Sequence, residues 1–212
     1  MIVTIFTENT AGIQAVISAQ PRLDEVVTVS AEKPGKGIEV KDGRIRVPLE
    51  WSNDLPPYIF PENIAYTPEN LLAVVYTFLF NFEEAYRLAE GEKDLAIEID
   101  RFNCLMHGIP LSLPESTGDS FEEYRTLHNS AVISHYGETT SGSNPLPYYR
   151  EALAGAPSPE LYAYTLKHYL TLLMDSDELD EAEKYSCRLR GMGRAFSRSG
   201  GGATEPPVPG QA

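Results

Sequence analysis

Only two of the 212 residues are cysteine, Cys104 and Cys187, and they lie far apart in the chain. That scarcity excludes the dense disulfide framework of small secreted domains and favours a reducing, cytoplasmic setting. Long hydrophobic runs are lacking too. The most apolar window, Leu71 to Phe80, has roughly half the length of a membrane-spanning helix and is followed by Glu83 and Glu84. Met1 to Phe6 is apolar but has no basic flank, and Thr7, Glu8, Asn9 and Thr10 interrupt it, so it does not read as a secretion signal. Bases are scarce: 17 Lys and Arg stand against 31 Asp and Glu, a formal net charge of −14. Phosphate backbones are bound by clustered Lys and Arg. Neither nucleic acid nor a membrane is therefore an expected partner.

Motifs for common chemistry are missing as well. There is no Gly-x-Ser-x-Gly nucleophile elbow, and Gly12 stands alone after the first apolar segment, where a phosphate-cradling loop needs several glycines. Cys104, His107, His128 and His135 could supply four ligands at helical spacings, but no tight Cys-x-x-Cys or His-Glu-x-x-His pairing supports zinc. A buried cysteine and ordinary histidines are the simpler reading. Neither a metal nor another cofactor is expected.

What is present is a folded-protein composition, 42% hydrophobic and 10% aromatic. The charge is zoned. Residues 1–50 carry seven acids and six bases, 51–183 carry 23 acids and six bases, and from 184 onward Lys184, Arg188, Arg190, Arg194 and Arg198 face only Glu205. The acidic middle can attract a basic partner at low salt, or simply keep helices soluble.

The first fifty residues predict a small α/β or β-rich unit. Ile2 to Phe6 and Glu25 to Val29 are β-branched runs. Between them Ile13, Val16 and Ile17 have helical spacing, halted by Pro21. Ile38 and Val40, then Asp42-Gly43, then Ile45 and Val47 predict a hairpin on a turn dipeptide that accepts positive φ. Residues 51–65 read as a Pro and aromatic connector, with Pro48 just before it and Pro56, Pro57, Pro61, Trp51, Tyr58 and Phe60 inside it, whose aromatics pack back on the body.

From 66 to 191 the pattern is helical. Thr67-Pro68-Glu69 and Ser158-Pro159-Glu160 are the same start signal: a hydroxyl N-cap, a proline where its missing N–H costs nothing, and a glutamate at the positive helix end. Each leads into two helices, the second starting near Asn81 or after Asp175-Ser176-Asp177. Further helices are predicted over about 92–107, 121–136 and 147–155. Residues 192–212, with Gly200 to Gly202 and Pro206, Pro207 and Pro209, read as a disordered tail. The fold class is thus mainly α, a helical-hairpin array behind a small N-terminal unit.

Asn81-Phe82-Glu83-Glu84-Ala85 and Glu178-Leu179-Asp180-Glu181-Ala182 resemble the turn and second-helix start of tetratricopeptide repeats, in which a small alanine lets two helices approach. Tyr149-Arg150-Glu151-Ala152 is a third candidate. The three alanines are separated by 67 and 30 residues, close to two and one repeat lengths. The last unit departs from the pattern with Leu170 in a slot for a small residue, and an insert runs from Gly137 to Asn144, so a looser hairpin array stays open beside a true repeat.

The resemblance implies a concave groove lined by the first helix of each hairpin, where a peptide or a partner helix lies. Carried over by position, its residues are Asn70, Val74 and Thr77 in the first unit and Tyr164, Lys167 and Thr171 in the last. Lys167, one of six bases in the acidic middle, could pair with a ligand carboxylate; a solvated lysine is the alternative. The expected function is a protein-binding scaffold, with possible self-association. The alternative is an enzyme fragment: a strand, helix, strand start followed by Asp175-Ser176-Asp177 resembles sugar-nucleotide transferases, although capping of a helix explains that acidic pair more simply.

Overall fold

In a computed structural model the described residues are 2–32, 36–49, 56–107, 120–137 and 144–187. The predicted tail at 192–212, Trp51 and most of the Gly137–Asn144 insert lie outside them. The described chain is mainly helical, with a small mixed sheet at the N-terminal end. It divides into two compact units, Met1–Pro157 and Ser158–Ala212.

The sheet follows from alternation. β1 (Val3–Thr7) leads through α1 (Thr10–Ser18) to β2 (Val27–Ser30), and β1 and β2 pair in parallel with Val3 opposite Val27. Asn9 starts α1: its side-chain oxygen accepts from the Gly12 N–H at 3.1 Å. β3 (Ile38–Lys41) runs parallel to β1 on its other edge, Ile5 opposite Ile38. The predicted hairpin follows, with β4 (Arg44–Arg46) antiparallel to β3. Asp42 and Gly43 at its turn have φ of 52° and 71°, the paired positive values of a turn that matches strand twist. β5 (Ile64–Ala65) completes the order β2-β1-β3-β4-β5.

Every second residue of these strands enters one core. Val3, Ile5, Val27, Ile38, Val40, Ile45 and Ile64 pack in a single cluster with Ile13 and Ile17 of α1 and with the next helix, α2 (Pro68–Phe78). Glycine is required at 37, where a Cβ would fall 2.5 Å from both the Phe6 ring and the Thr4 carbonyl oxygen.

α2 is apolar all round, and all its residues from Asn70 to Phe78 are buried. It pairs with α3 (Phe82–Leu88), which packs on α4 (Lys93–Met106). α5 (Ser120–Tyr136) and α6 (Leu146–Gly155) form a second packed pair. Phe60, in the segment before β5, meets Phe78 of α2 and Phe102 of α4 edge to face, at 5.6 and 5.4 Å between centroids. Tyr58 and Phe60 of the connector thus belong to the core.

The second unit holds α7 (Pro159–Asp175) and a helix over residues 179–187, here α8. Tyr169 and Tyr185 pack edge to face at 5.1 Å, and the Tyr169 hydroxyl donates to Glu181 at 2.7 Å, which joins the two helices.

Candidate functional site

The two hairpins predicted from their start signals are built alike. The Thr67 hydroxyl accepts from the Asn70 N–H at 3.0 Å and the Ser158 hydroxyl from the Leu161 N–H at 3.2 Å, each with proline in the first turn. Their ends also correspond. The Asn81 N–H reaches back five residues to the Tyr76 carbonyl at 2.9 Å, and the Glu178 N–H to the Leu173 carbonyl at 2.8 Å. Phe80 and Asp177, one residue earlier, take the left-handed conformation such an ending needs, with φ of 59° and 60°.

The groove residues expected on α2 require correction. Asn70, Val74 and Thr77 are all buried, not turned to an open surface. The Asn70 amide donates to the Ala65 carbonyl at 3.0 Å, fixing the helix start to β5, and the Thr77 hydroxyl donates to the Ala73 carbonyl at 2.8 Å. The carry-over assumed one free face. The sheet core, α3 and α4 enclose this helix because its sequence offers no polar face to solvent.

On α7, Tyr164, Lys167 and Thr171 follow one another at helical spacing of three and four, so they share a side of the helix. Only Lys167 is exposed. Tyr164 is buried, its ring edge to face with His168 at 4.9 Å, and half-buried Thr171 donates to the Lys167 carbonyl at 3.2 Å. At the tip of the same hairpin Met174 and Leu179 are 59% and 60% exposed. Burial is the usual fate of such side chains. Between and beside them lie exposed Asp175, Asp177, Glu178 and Asp180.

A buried polar cluster escaped the sequence reading. Glu98 of α4 accepts from the Tyr58 hydroxyl, from Arg101 at 2.9 Å and from Arg125 of α5 at 3.0 Å. Arg125 also donates to Glu122 at 2.8 Å and to the Ile59 carbonyl at 3.3 Å. Asn129 grips the Ile59 peptide from both sides, accepting from its N–H at 2.9 Å and donating to its carbonyl at 2.8 Å. His128 Nε2 lies 2.7 Å from the Pro57 carbonyl, which can only accept, so this nitrogen carries the proton. Burial, then the Glu98 charge, pushes the Tyr58 hydroxyl well above its ordinary pKa. Burial works to lower the Arg125 pKa, but the charge and hydrogen bonds of Glu98, then Glu122, outweigh it and raise it.

A fourth bond, from Arg125 Nη2 at 3.4 Å, fills the last of the carboxylate's lone-pair directions, so Glu98 is occupied in holding segments together and has none free for proton transfer to a substrate. The signal for it was local. Leu95, Ile99, Phe102 and Leu105 form the buried stripe of α4, and Glu98 is a charge set within that stripe.

The residues weighed as zinc ligands are engaged separately. Cys104 lies 3.9 Å from the Asp100 carboxylate, His107 Nδ1 is 3.0 Å from the Asn103 carbonyl, His128 holds Pro57, and His135 is near the Tyr149 hydroxyl at 3.5 Å. Burial, then Asp100, pushes the Cys104 thiol up, away from thiolate. Among the described residues no group of three or more His, Cys, Asp or Glu side chains gathers as a metal site would, and no helix is long and apolar enough to cross a membrane. Asp175 ends α7 and Asp177 is the left-handed residue of the turn, so the acidic pair belongs to a helix ending. Comparison with protein-family models, curated proteins and solved structures gave no match.

Proposed function

We propose that the chain is a protein-binding scaffold of the tetratricopeptide-like, helical-hairpin kind, and that the α7–α8 hairpin carries its contact surface. The observation that carries this reading is the tip of that hairpin. Two exposed apolar side chains, Met174 and Leu179, flank a turn that is fixed by its own backbone hydrogen bonds. A rigid turn loses little conformational freedom on binding, which favours recognition. Lys167 and Thr171 continue the surface along α7, and Tyr164 on the same side of the helix is buried.

The repeat-like reading draws support from Ala85, Ala152 and Ala182, the alanines of the three resembling segments, which are all buried. The partner is a protein segment with apolar and basic side chains, because the tip interleaves Met174 and Leu179 with Asp175, Asp177, Glu178 and Asp180.

The test compares proteins captured from a lysate by the full chain with those captured by a Lys167→Glu, Met174→Ser, Leu179→Ser variant. Tyr164 is left intact, since truncating a buried ring would damage the fold. A discrete partner lost in the variant, at unchanged helical circular dichroism, supports the hairpin surface. Identical capture by both proteins would remove it.

A further inference from the structure

Among the described residues, the side of the β3–β4 hairpin turned away from the core carries a net charge opposite to that of the chain. In the β3–β4 hairpin Ile38, Val40 and Ile45 point into the core, so Glu39, Lys41, Arg44 and Arg46 point outward. Lys41 and Arg44 are direct cross-strand partners, as are Glu39 and Arg46. The second pair is complementary, Arg46 Nη1 lying 3.6 Å from Glu39 Oε2 with the arginine side chain 54% exposed. The first is a pair of like charges, an arrangement that disfavours a sheet unless an anion joins it.

Neither cation of that pair is neutralised among the described residues. Arg44 donates to the uncharged Asn63 side chain at 2.9 Å, and Lys41 and Asp42 have no ion pair there. β4 is bonded to β3 on one edge and β5 on the other, so a ligand cannot add as a strand and must be read by side chains.

We propose that this outer face of the β3–β4 hairpin docks an extended acidic protein segment, with carboxylates at alternate positions meeting Arg44 and Arg46 and a further one meeting Lys41. The spacing argues for that form. Two residues along a strand span about 6.5–7 Å, so Arg44 and Arg46 match carboxylates two residues apart in another extended chain. Guanidinium forks take carboxylates in bidentate fashion, which gives geometry as well as charge. A nucleic acid is disfavoured as occupant because its long polyanion would also meet the field of a chain with net charge −14, whereas a short segment meets the local cations. This proposal does not rest on the α7–α8 tip and stands or falls without it.

Fluorescence anisotropy of a labelled peptide of alternating Glu and Ser, titrated with the full chain at low and physiological salt, tests the proposal. The expected result is saturable binding that weakens with salt, is absent for a Gln and Ser peptide, and falls at least tenfold in R44E/R46E and in K41E. All three positions are exposed, and unchanged thermal melting of R44E/R46E and of K41E themselves separates lost binding from lost folding. Binding that the variants leave intact would overturn the proposal, as would no binding at low salt. Tighter binding of a single-stranded oligonucleotide than of the peptide would overturn it in favour of a phosphate backbone.

Discussion

Arg125 Nη1 lies 3.0 Å from Glu98 Oε2, a contact between α5 and α4 with both residues buried. Taking two charges from water is costly, and the pair returns that cost only with its full set of hydrogen bonds. Here the set is nearly complete, since Tyr58, Arg101 and Glu122 occupy the remaining directions. Removing one partner leaves a buried charge unmatched. Arg125→Ala and Glu98→Ala are each expected to lose about 3–5 kcal/mol. The joint change Glu98→Leu with Arg125→Met should lose less than either, measured by urea unfolding. Equal losses for all three would mean that packing, not charge, dominates at this site.

Alkaline pH should loosen the same region. Burial first, then Glu98, raises the Tyr58 pKa above its ordinary 10. Burial also raises that of Tyr86, to about 12. A tyrosine with a raised pKa holds its proton in the folded state where the unfolded chain has released it. Its contribution is whole below pH 10 and declines as pH rises from 10 through the folded-state value. Unfolding free energy should therefore fall between pH 10 and 12, and the fall should be shallower in Tyr58→Phe.

The backbone plan was legible where local chemistry dictates it. Asp42-Gly43 fixed the hairpin turn, and the two hydroxyl-Pro-Glu triplets marked the starts of α2 and α7. Burial of the α2 face was not, because helical periodicity tells which residues lie together and not how many neighbours enclose them. Leu71 to Phe78 holds few polar residues, and that lack of a wet face was the readable warning. The Glu98 cluster joins residues up to 71 apart, as His128 to Pro57 shows, a distance no local pattern reaches. Its only trace was a charge inside an apolar stripe.

The helix starts can be tested one by one. Thr67 and Ser158 each accept one N–H that the helix cannot satisfy itself. Thr67→Ala and Ser158→Ala are expected to cost about 0.5–2 kcal/mol each. Hydrogen exchange locates the effect: the Asn70 amide should lose protection in the first variant and the Leu161 amide in the second.

The buried alanines separate a close helix approach from mere helical preference. Ala85 is fully buried in α3, the helix that packs on both α2 and α4. If its role were only to favour helix, leucine, nearly as good a helix former, would be tolerated and glycine would cost about 1 kcal/mol. If it lets helices approach, leucine has no space and should cost about 1–3 kcal/mol through displaced neighbours. Leucine is therefore expected to be the worse of the two at 85, and Ala152→Leu in α6, equally buried, should follow it. Urea unfolding of Ala85→Leu beside Ala85→Gly decides the matter, because the two explanations rank these variants in opposite order.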